Sequence, residues 1–478
     1  GSAEVVVGLS DDGCKLDHPD FNSAGKFAAW GYLRGSRLIA NTDIDAQPSQ
    51  MYKAGANHGT SCAGVIAAET DGVLTVGAAP GCRLLPIQWE SSGPSLFISD
   101  SKLLTVLQFI QDKVDVFSNS WGGVPVSTWS QPVVNRLRQL ATTGGRRGKG
   151  ILFLWAAGNE NCPISYTADV DVPYDIGWAP RGGSWVWVGV STSRRFENNL
   201  VGIPGVLHVA ALASTAQRSH YSNYGPGIAL CAPSSNSHTY FRMRVRGLGV
   251  STATGDGSGI TNDFGGTSSA TPLVAGIAAL VISAWPELTA LEVVSVLQRT
   301  AAKDMNLTPY AKTPPASYDP NPTWDVSPIP PFDKGDFTST GSSDGTWSPW
   351  FGHGRVDAPA AVHEALARRL NASGSVRLRI VSALVNPVGA DRDRETVTLH
   401  NLSLQPVSLT GWRLAGSTGK GQTLSGVLNA GQTSVVSLKS TQLRLANNGG
   451  TIRLLDGQGN EVHKVTYGTA TEGQAITF

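Results

Sequence analysis

No stretch of this 478-residue chain holds 18 apolar residues free of polar interruption, so none reads as a bilayer-spanning helix. The first residues also lack the basic, apolar, small-residue pattern of a signal peptide. Gly1-Ser2 reads as an added scar, behind which a removed leader or pro-segment would leave no trace. An excess of charge is missing too. The 37 Lys+Arg against 36 Asp+Glu leave a net charge of +1, which removes any global electrostatic argument for nucleic acid or an anionic membrane as partner. Cysteine is scarce and one-sided: Cys14, Cys62, Cys82, Cys162 and Cys231 all lie in the first half, and none has the CxxC spacing of a metal site. Their odd number leaves at least one without a partner in the chain, and spacing leaves the connectivity open. Against 15% charged residues stand 55 glycines and 41% hydrophobic residues, a compact, turn-rich composition that supports a large core in two or three domains.

The chain is organised around Phe264 to Trp285, FGGTSSATPLVAGIAALVISAW. Two glycines permit a close approach, three hydroxyl residues follow, and Pro272 suits the first turn of a helix because its missing N–H is unpaired there anyway. A helix is therefore expected from about Ala270. Its apolar residues surround most of the circumference, which marks a helix buried through a domain. A hydroxyl at such a mouth meets unpaired backbone N–H groups and the positive end of the dipole, an environment for a nucleophile whose reaction puts negative charge on a neighbouring oxygen. Thr267, Ser268 and Ser269 all qualify, and a Gly/Ser turn capping a core helix explains the same residues.

Upstream, Glu4 to Leu9 is an apolar strand delivering Asp11 and Asp12 at its C-terminal end, where open α/β sheets form sites; either aspartate could simply cap the turn. His58 opens a second small-residue helix, HGTSCAGVIAAE. Strand and helix then alternate: CRLLPIQW, a helix over Lys102 to Lys113, a strand from Val114 ending in SNSWGG, a helix over Gln131 to Thr143, and ILFLWAAGNE ending at Gly158-Asn159. Val206 to Leu212 and Gly227 to Ala232 add strands, a Gly/Ser/Thr-rich segment runs from Ser234 to Asn262, and Leu288 to Ala301 is a further helix. The alternation predicts a doubly wound, mainly parallel α/β sheet. The small residues of SNSWGG would leave backbone free for an extended peptide, or form a glycine bulge. Lys303 to Trp350, rich in Pro, Asp and Ser, reads as a surface excursion. A helix to about Leu370 closes this unit. From Ser373 the composition shifts, and in this cysteine-free remainder period-two runs separated by Gly and Asn turns predict an all-β sandwich of roughly seven strands. The expected domains are thus 1–372 and 373–478.

Joined in order, Asp11, His58, Asn159 and Ser268 have the Asp-His-Ser order that subtilisin uses for its triad. DDG at Asp11, HGTSCAG at His58, SWGG at Ser120, AAGN at Ala156 and GTSSATP at Gly266 make residues 4 to about 370 resemble a subtilisin/kexin-type serine protease, closest to the kexin-related branch. The resemblance implies that Asp11, His58 and Ser268 are catalytic and that Asn159 joins the Ser268 N–H in an oxyanion hole. It also implies a peptide or protein substrate held by Ser120, Trp121, Gly122, Gly123, Ala157 and Gly158. It implies a buried thiol, Cys62, near the histidine; a structural calcium ion with Asp20 of HPDF as ligand, beside a loop shortened to Glu69-Thr70-Asp71-Gly72; and secretion or surface display. Kexin-like cleavage after basic residues would need acidic side chains in the first specificity pocket, for which Asp169 and Asp171 are candidates. The C-terminal part resembles a lamin-tail domain through VNPVGADRDRETVTLHN, Gly411-Trp412 and NNGGTIRLLD. Such immunoglobulin-like sandwiches imply binding or attachment to a protein or surface, with Arg392, Arg394, Arg413 and Lys420 as candidates or simply a solvated face. The alternatives to hydrolysis are a transpeptidase or macrocyclase on the same acyl-enzyme, and an inactive binding scaffold.

Overall fold

The structure is a computed structural model that describes residues 5–176, 178–187, 189–237, 247–310, 328–341, 344–372, 378–403 and 405–478. Parts of two segments read above as connections, 238–246 and 311–327 with 342–343, lie outside these. Two compact units comprise Gly1–Val362 and His363–Phe478.

In the first unit eight strands form one sheet: β1 (Val6–Asp11), β2 (Gly31–Arg34), β3 (Arg37–Ala40), β4 (Arg83–Gln88), β5 (Val116–Asn119), β6 (Leu152–Ala156), β7 (Val206–Leu212) and β8 (Ile228–Pro233). Their order is β8-β7-β6-β5-β1-β4-β2-β3, parallel except for the β2–β3 hairpin. Chain progress reverses at β1, with β4 on one side and β5 on the other, so the C-terminal end of β1 is the topological switch point where ligands bind in such sheets. Asp11 is its last residue. The strands read as unbroken apolar runs because both faces are covered. Leu85, Phe117, Phe153 and Trp155 point into one core with Leu103 and Leu107 of α2 (Asp100–Ile110) and Val133 and Leu137 of α3 (Gln131–Thr143). Alternate residues such as Leu84, Val116 and Leu154 are equally buried and turn to the other face, toward α1 (His58–Ala67) and α4 (Thr267–Ala284). The α1–α4 approach is close enough that a Cβ on Gly276 would lie 3.1 Å from Ile66 O of α1.

α4 starts three residues before the expected Ala270, at Thr267, with Gly266 at φ 73° as its cap and Pro272 inside the helix. Pro272 cannot donate to the carbonyl four residues back, which is that of Ser268. That oxygen is bonded instead by Ser120 Oγ at 3.0 Å and Cys62 Sγ at 3.6 Å, so side chains of two other elements make an interior proline tolerable. With a mean hydropathy of 1.6, α4 is the one helix among the described residues long and apolar enough to cross a membrane, but 78% of it is buried inside the unit.

Two expectations change here. An antiparallel ribbon, Tyr166–Asp175 with Val190–Asn198 and an outer hairpin Trp178–Arg181 with Ser184–Trp187, occupies the segment between Asn159 and β7 where no element was read. Glu197 and Asn198 at its base pair with Val126–Ser127, just beyond Gly122-Gly123. The later half of the Lys303 to Trp350 segment is no surface excursion: Phe332, Trp350 and Phe351 are buried together with Tyr224 and Ile228, and Trp350 Nε1 donates to Phe332 O at 2.7 Å. Proline and serine composition hid these aromatics. All five cysteines are buried free thiols.

The strand Val250–Ala253, here β9, and Ile260–Phe264, β10, form a hairpin leading into α4. Helices α5 (Ala290–Thr300) and α6 (Ala358–Ala372) follow. In the second unit β11 (Leu378–Leu384), β12 (Thr396–Asn401), β13 (Arg413–Ala415), β14 (Gly421–Thr423), β15 (Thr433–Ser437), β16 (Gly450–Leu455), β17 (Glu461–Tyr467) and β18 (Ile476–Thr477) form two four-stranded sheets, β15-β12-β11-β18 and β14-β13-β16-β17. With the added pair Val407–Ser408 and Val427–Leu428, strands exceed the expected seven. Leu399, Trp412, Leu414, Ile452 and Leu454 fill its own core. Two of the candidate contact residues are tied to their own loops: Arg394 donates to Val388 O and Arg413 to Gly419 O.

Candidate active site

A cavity of about 860 Å³ opens over the C-terminal ends of β1, β5 and β6, and Asp11, His58, Ser120, Asn159 and Ser268 all line it. Residues spread over 250 positions of sequence meet there because parallel strands all end on one edge.

Asp11 is 3% exposed, and its carboxylate accepts from His58 Nδ1 at 2.8 and 2.9 Å. Nδ1 must therefore carry a proton, leaving Nε2 as the acceptor in the neutral ring. Asp12, the alternative aspartate, has a different partner. It accepts from the Gly59 N–H at 2.8 Å and the His58 N–H at 3.3 Å, capping α1 from outside, while the N-cap Asn57 makes no side-chain cap bond. Burial, with the Asp11 charge beside it, pushes the Asp12 carboxyl up to about 6. Burial is the largest single influence on His58 and works against its charged form, but the Asp11 charge, its hydrogen bond and the contact with Cys62 together outweigh it and hold the imidazole well above its ordinary value. The side chain keeps 39% of its exposure, so its desolvation is partial. The Phe264 ring packs edge-on at 5.5 Å.

Cys62, one helical turn after His58, lies 3.6 Å from Asp11 Oδ2 and 3.9 Å from His58 Nδ1. Burial pushes its thiol up to about 11, so it is a neutral donor rather than a nucleophile. Asp11, His58 and Cys62 are also the one trio among the described residues close enough to share a metal ion. Their atoms are already bonded to each other.

The three hydroxyls at the mouth of α4 have distinct environments. Ser269 is fully buried, bonded to Ser234 Oγ at 2.8 Å. Thr267 Oγ1 accepts from the Gly158 N–H at 3.0 Å and donates to Asn159 Oδ1 at 3.1 Å. Ser268, 8% exposed, turns its Oγ toward Ser120 O at 3.3 Å. Asn159 Oδ1 also accepts from the Thr267 N–H at 2.7 Å, which fixes the orientation of the amide and leaves Nδ2 as its donor end. Ser120 does more than edge the cleft, since its hydroxyl and carbonyl both bond Ser268. Trp121, held by Nε1 to Ser10 Oγ at 2.9 Å, and Gly122, Gly123 and Gly158 line the cavity, while Ala157 lines a narrower pocket beside it.

Asp169 and Asp171 line neither cavity. Both sit on the outer ribbon, and Asp171, with 60% of its side chain exposed, pairs with Arg194 at 2.7 Å. The acidic group that lines both is Glu160, which sequence reading passed over although it directly follows Asn159. Burial pushes it up to about 7, against the opposing hydrogen bond from Asn223 Nδ2 at 2.6 Å.

Asp20 is fully buried, and its carboxylate accepts from the Thr75 N–H and hydroxyl. The two residues supply the hard oxygen donors that calcium takes. Beside them the buried Glu69 accepts from Ser23 and lies 3.7 Å from Lys26 Nζ.

Residues 2–354 match the Subtilase family and residues 371–469 the Lamin Tail Domain. The chain is 30% identical over 385 residues to a "Calcium-dependent protease" of Trichormus variabilis, covering 76% of this chain and 46% of that one. It is 27% identical over 313 residues to "Furin-like protease 1" of Drosophila melanogaster, covering 63% of this chain and 24% of that one. Thus it spans less than half the length of either relative. The crystal structure of the Aeromonas sobria serine protease with its chaperone superposes with a TM-score of 0.50 at 18% identity, covering 97% of this chain and 85% of that one, a likeness of fold. With a doubly wound sheet and a family match over most of its length, the chain belongs to the Subtilase family.

Proposed function

We propose that the chain is a serine endopeptidase that cleaves peptide bonds through an acyl-enzyme. One observation carries the reading: the Asp11–His58 pair at 2.8 Å opens into the same cavity as Ser268, at the N-terminus of a buried helix. On this reading Ser268 Oγ turns from Ser120 O toward His58 Nε2, yields its proton there, and attacks the substrate carbonyl. Asp11 stabilises the imidazolium that results. The tetrahedral oxyanion accepts from the Ser268 N–H and Asn159 Nδ2. His58 then returns the proton to the leaving amine, and water, deprotonated by the same nitrogen, releases the acid. Ser120 to Gly123 and Ala157-Gly158 hold the peptide as an added strand. Glu160, rather than Asp169 or Asp171, is the acidic group suited to a basic side chain preceding the cleaved bond, in the manner of kexin-like processing. Extracytoplasmic action belongs to the same reading and rests on the family alone.

The second domain, taken as 373–478, is proposed to recruit a protein, a surface or a large substrate, since it has its own core and holds none of the residues assigned above to the chemistry. Mass spectrometry of products made by the full chain and by residues 1–372, from short peptides and from folded proteins, tests both statements. Hydrolysis products with equal short-peptide turnover are expected. Ligated or cyclised products would indicate transpeptidation, and loss of short-peptide cleavage by a folded truncated chain would make the sandwich part of the catalytic architecture.

Calcium is proposed as a structural ion held by Asp20 and Thr75, where it would neutralise a buried carboxylate. The Thr75 hydroxyl must turn its proton away from Asp20 to admit it. Chelation is then expected to lower the thermal midpoint of the natural chain and to have no effect on Asp20→Asn; equal midpoints with and without chelator in the natural chain exclude the ion.

A further inference from the structure

We propose that Asp256, at the tip of the β9–β10 hairpin, is a positioning residue that holds His58 in its working place through Asn57 and Tyr52. The proposal rests on the reading of His58 as general base. Asp256 Oδ2 accepts from Asn57 Nδ2 at 2.6 Å and Oδ1 from the Tyr52 hydroxyl at 2.6 Å. The phenolic oxygen also lies 2.8 Å from Asn57 Oδ1, so the one hydroxyl proton serves either acceptor and a ring of three side chains closes immediately before His58. This explains why Asn57, the N-cap of α1, does not cap its own helix: its amide is committed to the ring, and Asp12 takes over the N–H groups.

The hairpin tip is anchored at three further points, and each anchor belongs to a segment that carries or abuts the Asp11–His58 pair. Lys15 Nζ, four residues after Asp11, donates to Gly255 O at 3.3 Å. His18 Nδ1 accepts from the Asp20 N–H, so its Nε2 carries the proton and donates to Gly259 O at 2.9 Å. Gly255 lies flat on Tyr52, with a Cβ there only 2.2 Å from the ring. The other end of the same hairpin is Phe264, whose ring touches the imidazole. One hairpin thus ties the loop after Asp11 to the residue before His58, and packs on the ring between them. The chemistry of the cluster agrees: hydrogen bonds from Tyr52 and Asn57 hold the exposed Asp256 carboxyl below its usual range, while burial and then the Asp256 bond push the Tyr52 phenol up to about 12. A group that acts only by placing another should cost turnover rather than affinity, because small displacements of a catalytic base are felt in the transition state.

The test uses the full chain and the variants Asp256→Ala, Asp256→Asn and Tyr52→Phe. Asp256→Ala is expected to lower kcat on a short peptide by about 10- to 100-fold with KM little changed. Asp256→Asn, which keeps an acceptor oxygen, is expected to recover part of the loss. The hydrogen-bonded Nδ1 proton of His58, followed by NMR in histidine-labelled protein, is expected to exchange faster in Asp256→Ala at an unchanged thermal midpoint, since the carboxylate is exposed. Tyr52→Phe should show a smaller loss of the same kind. An unchanged kcat together with an unchanged Nδ1 resonance overturns the proposal. If the natural chain cleaves no peptide, the endopeptidase reading fails, while the Nδ1 resonance alone still decides whether Asp256 positions His58.

Discussion

Ser268→Ala is expected to abolish turnover, with a loss on the order of 10⁶ in kcat, and to abolish labelling by a serine-directed phosphonate. The reason lies in the three neighbouring hydroxyls. Ser269 is sealed against Ser234, and Thr267 is committed to Gly158 and Asn159, so neither can replace the missing nucleophile. The fold should survive, because the Ser268 carbonyl keeps its bonds from Ser120 and Cys62 and the variant gives up only the hydroxyl's bond to Ser120 O at 3.3 Å. Active-site titration with the phosphonate probe and a thermal melt check both halves. Labelling retained in the variant would move the nucleophile to Thr267 or Ser269.

Asp11→Asn is expected to cost about 10⁴ in kcat while leaving substrate affinity nearly intact. The carboxylate accepts from Nδ1; an amide at that place can offer N–H instead, which favours the ring tautomer whose Nε2 is protonated and cannot take the serine proton. The pH dependence should change as well. His58 is held well above its ordinary value, and only the neutral ring is a base, so kcat/KM of the natural chain should rise with pH through a value above 6.5. Removing the Asp11 charge leaves burial, which disfavours the imidazolium, and the acid limb should move to lower pH. Rate profiles of the two chains on one peptide decide this; an unmoved limb would mean that Asp11 does not set the charge on His58.

Much of this architecture is legible in the residues themselves. Parallel strands covered on both faces must be apolar throughout, so VVGLSD, LFLWA and VLHVAAL announce themselves, and the small residues that admit α1 against α4 are visible as HGTSCAG and the Gly276 helix. Side chains delivered at strand ends or helix mouths beside glycine, Asp11, His58, Asn159 and Ser268, could be singled out because a functional group at such a place needs a backbone with little side chain around it.

Other features depended on partners far away in sequence. Whether Asp11 or Asp12 faces the imidazole is a matter of which carboxylate the α1 N–H groups claim, and alternation along β1 cannot settle it at the strand's last residue. Pro272 looked like a helix start because the donors that replace its missing bond, Ser120 and Cys62, lie about 150 and 200 residues upstream. Asp169 and Asp171 were plausible pocket acids by distance from Asn159, but the chain between them turns outward into a ribbon, leaving Glu160 at the cleft. The Asp256 ring joins residues about 200 apart. Sequence therefore determined the α/β sheet, the strand-rich C-terminal part and the side chains proposed to react, since burial and helix-end chemistry are local demands on residue type. Only tertiary structure decided which of neighbouring hydroxyls and carboxylates meet, because a hydrogen bond depends on a few tenths of an ångström between elements whose separation no local pattern records.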